Sequence, residues 1–139
     1  MKVSYNWLQN YFEEKLPEPE KVSEGVIFHS FEVEEMEKVG NDTIFDIKIL
    51  PDRAHDCLSH FGIAKEISAI FRMKLKEKEY KTFEPEQTNL KIEIKSDKCL
   101  RYMGRIVRNI KVDKSPDWLK ERLETIGQKS INNIVDAAN

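Results

Sequence analysis

Leu50 to Phe71 reads LPDRAHDCLSHFGIAKEISAIF, and its first half crowds together His55, Asp56, Cys57 and His60. Two chemistries are open to such residues. The first is metal binding. Structural zinc takes four Cys or His ligands, usually as two close pairs. Residues 55–57 are consecutive, so their side chains diverge, and His60 is within helical reach of Asp56 only. The other candidates, His29 and Cys99, each stand alone, so the spacing argues against a metal. The second is a thiol nucleophile. Cys57 at a helix start would be favoured as thiolate, with His60 three positions on as its base. Asp56 beside it opposes that anion, and a Cys before an apolar Leu58 is usually a small core residue.

A third reading needs no reaction. Asp56 or Ser59 caps a helix by accepting from the free N–H groups of its first turn. Phe61, Ala64, Ile67 and Phe71 then form one stripe, with Ile63 and Ile70 beside it. Arg53 pairs with Asp52 or Asp56 and pins the loop. This capped corner between a strand and a helix fits the residues best, with no metal ligand and no catalytic residue in it.

The neighbouring elements follow from similar signals. Ser4 caps a helix over about residues 5–14, with Trp7, Leu8, Tyr11 and Phe12 on one face. LPEPE ends it, and Pro19 opens a second helix that reaches His29, with Glu18 and Glu20 near its positive end. SFEVEEMEKV reads as a strand, Gly40–Asp42 as a turn, and TIFDIKIL as a half-buried strand of period two. Residues 74–89 are polar and read as a linker. LKIEIK and RYMGRIVRNIKV read as strands. SPDWLKERLETIG is a helix with Ser115 as cap, Pro116 in its first turn and Gly127 past its end. Its apolar stripe is Leu119, Leu123 and Ile126. Asn132 caps a last short helix. The order implies an α+β chain with a helical head (1–75), a linker (76–90) and the start of a second module (91–139).

Composition narrows the function classes. The 139 residues are 40% hydrophobic and 35% charged, with a net charge of −2, which argues against a chain that grips nucleic acid with its whole surface. Charge is polarised: residues 1–40 hold nine Glu against four Lys, while 98–114 hold six Lys or Arg against one Asp. Arg101, Arg105 and Arg108 are therefore candidate RNA contacts, although only the first two share strand parity, and cations guarding a strand edge are the competing explanation. Five Gly leave no room for a glycine-rich phosphate loop. No apolar run approaches the about 18 residues of a membrane span. The N-terminus does not read as a secretory signal, and two widely spaced Cys suggest reduced thiols in a cytoplasm.

Four stretches carry a resemblance: MKVSYNWLQNYF, FEVEE, ILPDRAHDCLSHFGIAKEISAIF, and CLRYMGRIVRNIKVDKSPDWLKERLETIGQKSINNIVDAAN. In this order they resemble the N-terminal region of the bacterial phenylalanyl–tRNA synthetase beta subunit, across nearly the whole chain. Three departures stand out. EKVGNDTIFD passes directly over the point where the family inserts a tRNA-binding barrel. PDRAHDCLS is one residue longer than the family's usual run. The family's sequence also runs on well beyond Asn139.

The resemblance implies a small three-helix, winged-helix-like head followed by the opening strands and helix of the editing module. It implies an enzyme of alpha and beta subunits, a heterotetramer that charges tRNA with phenylalanine using ATP and Mg²⁺. The alpha subunit does that chemistry. The beta subunit contributes assembly, tRNA contacts and editing of tyrosyl-tRNA, useful because an apolar pocket rejects one added hydroxyl poorly. The chain's partners would be the alpha subunit, a second beta subunit and tRNA, with no membrane. The family's editing-pocket Thr-Asn pair matches Ala138 and Asn139, so the hydroxyl is absent at Ala138. No catalytic residue and no cofactor site is expected within the piece itself. The alternative is a standalone RNA- or protein-binding module derived from this head.

Overall fold

The computed structural model describes residues 1–77, 84, 86 and 88–139. Residues 78–83, 85 and 87, most of the expected linker, lie outside the described residues. The residues cluster into two compact units: 1–77 with 113–139, and 78–112. The chain is α+β, with three strands and six helices among the described residues.

In the first unit, β1 (Lys2–Ser4) runs directly into α1 (Tyr5–Gln9). Ser4 Oγ accepts from Trp7 N–H at 2.9 Å, the expected cap. The helix stops at Gln9, short of the expected residue 14, and the bonds tighten to Tyr11 N–H→Leu8 O and Phe12 N–H→Gln9 O. Phe12 leaves the helix to bridge Leu75 and is fully buried. α2 spans Pro19–His29, the bounds its proline and length imply. β2 (Glu32–Val39) and β3 (Asp42–Lys48) form a hairpin closed by Gly40 and Asn41. Gly40 sits at φ 59°, the left-handed geometry that the first central residue of a tight hairpin turn requires.

The antiparallel sheet has the order β1-β3-β2. β1 escaped the sequence reading because three residues are too few to show a period. Its register puts Lys2 opposite Asp46, and the Met1 ammonium reaches Asp46 Oδ1 at 2.9 Å.

A 3-10 turn (Pro51–Arg53), the one-turn α3 (Ala54–Cys57) and α4 (His60–Phe71) follow. The buried face of α4 carries His60, Ile63, Ala64 and Ile67. Phe61, expected on that stripe, is 45% exposed. Ala64 and Ile67 of that stripe are buried as expected, but at the start of the helix His60, not Phe61, finds a partner in the core. Val3, Leu8, Phe12, Val22, Val26, Phe45 and Ile47 close the core against α4.

α5 (Asp117–Thr125) and α6 (Asn133–Ala138) complete this unit. Leu123 is buried, and Gly127 follows α5 at φ 78°. Ser115 is not its cap: Pro116 holds that place without a side-chain bond, and the Ser115 hydroxyl donates to Asp136 instead. Asn132 caps α6 as expected, accepting from Ile134 and Val135 N–H at 3.0 Å each.

The second unit corrects the sequence reading. Residues 90–95 and 101–112 form no strand among the described residues. Cys99 N–H reaches Ser96 O at 3.3 Å across a turn, and Gly104 lies against Leu90 and Ile92. Alternation defines two faces, but a strand exists only when its N–H and C=O groups meet a neighbouring backbone. Among the described residues these segments enter no ladder.

Candidate functional site

The polar stretch folds into a knot around a guanidinium. Pro51 starts the 3-10 turn that delivers Arg53. Arg53 Nη2 donates to Asp56 Oδ2 at 2.8 Å, Cys57 Sγ at 3.1 Å and Glu66 Oε1 at 2.7 Å. Nε adds bonds to both Asp56 oxygens. Glu66 Oε2 accepts from the Ser30 hydroxyl at 2.7 Å, which ties in the end of α2. Asp56, Cys57 and Glu66 offer ligand atoms within 4.8 Å of one another, the one metal-like trio among the described residues. Its centre is filled by the Arg53 cation, so the trio does not suit a metal ion. The expected Arg53–Asp56 pair is present. Glu66, 13 positions away, was missed because no local spacing links it to Arg53.

Electrostatics in the knot run against nucleophilic use. The Arg53 bonds hold the Asp56 carboxyl down at about 2. Burial first, then the Asp56 bond, pushes the Cys57 thiol upward. A protonated, buried thiol is a poor nucleophile. Ser59, not Asp56, caps α4, accepting from Gly62 N–H at 3.0 Å. His55 and His29 are exposed and Cys99 is half-buried, so the residues weighed as ligands do not converge.

His60 turns away from Cys57's partners toward the sheet. Its Nε2 accepts from the Ser4 backbone N–H at 3.0 Å, so the neutral ring carries its proton on Nδ1. The ring stacks on Trp7 with centroids 3.8 Å apart. Burial, then the charge of Arg122, lowers its pKa from 6.5 to about 4. This role was invisible locally, since Ser4 lies 56 positions away.

A second knot surrounds Asp136, which is 2% exposed. Its carboxylate accepts from the Ser115 and Ser130 hydroxyls and from Ile131 N–H at 2.8 Å. The two serine bonds lead in pushing its pKa below the usual range. Asn133 N–H also donates to Asp113 O at 3.0 Å, and Asn133 Oδ1 accepts from Asp113 N–H. These bonds fix α6, at whose end Ala138 and Asn139 lie exposed. Asn139 lines a cleft of about 520 Å³ together with Trp7, Tyr11, His60, Phe61 and Leu123. In the second unit, Arg101, Arg105 and Arg108 are all exposed. No helix among the described residues is long and apolar enough to cross a membrane.

Residues 98–139 match the B3/4 domain family. The chain is 48% identical over 103 residues to the phenylalanine–tRNA ligase beta subunit of Fusobacterium nucleatum, covering 71% of this chain and 13% of that one. It is 39% identical over 129 residues to that of Aquifex aeolicus, covering 86% and 16%. The match to the Rhodopirellula baltica subunit, at 33%, covers all of this chain and 21% of the relative. By these matches the chain is similar to part of a tRNA-ligase subunit. In particular, it is homologous to the phenylalanine–tRNA ligase beta subunit, as its motifs implied. The chain spans about an eighth of the Fusobacterium relative, 13% of its length.

Proposed function

We propose that this chain is the N-terminal part of a phenylalanine–tRNA ligase beta subunit, serving subunit assembly, tRNA binding and editing. The observation that carries this reading is the sequence match, at 48% identity over 103 residues to one beta subunit. The whole enzyme would charge tRNA with phenylalanine in the cytoplasm, as a heterotetramer with the alpha subunit and a second beta subunit. ATP and Mg²⁺ would act at the alpha subunit. Two packed helices, α2 and α4, beside the β2–β3 hairpin favour the winged-helix likeness by shape alone, an analogy that carries no function.

Ala138 and Asn139 would form one edge of the editing pocket, with the remaining groups supplied from outside this chain. The piece alone should therefore hydrolyse neither ester nor anhydride. Incubating it with tyrosyl-tRNA tests this directly: a rate clearly above buffer would sink the reading. Co-expression with a bacterial alpha subunit tests assembly, and the two should purify together.

A second reading is favoured by the exposed Arg101, Arg105 and Arg108 in the basic run. A standalone RNA-binding module would bind single-stranded RNA with an affinity that falls steeply as salt rises, about 0.7 in log–log slope per phosphate contacted. Reversing these three charges would flatten that slope. Absence of binding at low salt removes this alternative.

A further inference from the structure

Trp7 and Trp118 are the chain's two tryptophans, and one guanidinium serves both. Arg122, on α5, lies 5.3 Å from the Trp7 centroid and 5.2 Å from that of Trp118. Trp7 belongs to α1 and is itself stacked on His60 of α4 at 3.8 Å and 20° between planes. Four side chains thus make one continuous contact from α4 through α1 to α5. Leu123 of α5 and Ile126 just after it line the same cleft as Trp7 and His60. α5 has nine residues, too few to be stable in water without packing.

We propose that Arg122 is a latch holding α5 against the head, and that protonation of His60 beneath Trp7 releases it and opens the cleft. The geometry supplies the reason. His60 Nε2 is the acceptor for the Ser4 N–H, so a proton there sets two donors against each other in a buried place. The new cation also faces the Arg122 guanidinium of α5. Stacking on Trp7 favours an imidazolium, and so does Asp42 of β3, whose carboxylate accepts from Ser4 Oγ and Asn6 N–H. Lys2 of β1, lining the same cleft, opposes it. Desolvation and Arg122 outweigh Asp42, and burial pushes the ring well below its ordinary range. Because Arg122 is the more exposed of the two cations, it is the one free to leave.

This inference concerns the motion of the segment and stands whether or not the chain edits tRNA. The test uses the full chain carrying Trp118→Phe, which leaves Trp7 as the single reporter. Trp7 quenching by acrylamide and amide exchange are followed from pH 7 to 3.5, with the His60 ring shift recorded by NMR. As His60 titrates, Trp7 should become more quenchable and the α5 amides should lose about tenfold or more of their protection beyond the decline that α4 and the sheet show as global stability falls. His60→Gln, an acceptor that cannot take the proton, should abolish the step. Arg122→Leu should give the released state already at pH 7. The latch is overturned if the step survives in His60→Gln, if α5 loses no more protection than α4 and the sheet, or if Arg122→Leu leaves α5 protection unchanged. If His60→Gln fails to fold, Arg122→Leu still tests the latch, and the α5 step must coincide with the His60 ring titration or the trigger is overturned.

Discussion

The two polar knots differ in the sign at their centre and in the groups around it. The Arg53 knot places a cation among an acid and a thiol of α3 and a second acid on α4. The Asp136 knot places an anion among two hydroxyls and a backbone N–H. The first joins four segments of the head and sits against the core. The second ties a loop to a six-residue helix. Residue types that suggest reactivity are used in both places for position. The difference teaches where damage should spread: from the first knot into the whole head, from the second only into α6.

Gly62→Ala is the most severe way to test that. A Cβ at residue 62 would fall 2.2 Å from Asp56 O and 2.7 Å from Cys57 Cα, so α3 and α4 must part. Overpacking against backbone costs about 3 kcal/mol or more. Urea denaturation should show that loss in the midpoint, while amide exchange in α6 should stay within twofold of wild type, about 0.4 kcal/mol. Equal loss of protection at both knots would mean that they are not separate.

Acid sharpens the comparison, because both knots keep carboxylates whose pKa values are lowered. Asp56, at about 2, and Asp136 hold their charge as pH falls through the mildly acidic range. His60 does not share that tolerance. Its ordinary value is 6.5 and its folded value about 4, so the unfolded chain takes up a proton that the native chain refuses. The stability it contributes is complete above pH 6.5 and is lost as pH falls toward 4, in all about 3 kcal/mol. Denaturation midpoints across that window should fall in wild type and stay nearly level in His60→Gln. A level wild-type profile would show that His60 titrates alike in both states.

How much of this the sequence disclosed depends on separation along the chain. Ser59 and Asn132 as caps, Pro19 as a helix start, Gly127 as a stop and Arg53 with Asp56 all rest on neighbours within four positions. Glu66 with Arg53, Ser115 with Asp136, and Ser4 with His60 are 13, 21 and 56 positions apart, and nothing local announces them. The same limit explains the opposite failure. Residues 90–95 have the period of a strand, but pairing is a property of two backbones, and periodicity describes one. The exposed Phe61 belongs here too: helical spacing put it on the buried stripe, and a distant N–H on Ser4 gave that place to His60 instead.

The smallest effect separates the knots most cleanly. Ser59 and Asn132 do the same job with the same chemistry, each accepting from the first N–H groups of its helix. Replacing either with Ala removes about 1 kcal/mol of local capping. α4 is the wall of the core, so nothing in the head can stay folded once it opens, and Ser59→Ala should lower the global stability by that whole amount. α6 exposes Ile134 and Val135 by about 40% each and can fray while the head stays intact. Asn132→Ala should therefore leave the urea midpoint almost unmoved and appear as about fivefold faster amide exchange in residues 134–138. If Asn132→Ala instead shifts the global midpoint as far as Ser59→Ala, α6 unfolds with the head, and the contrast between the two knots fails.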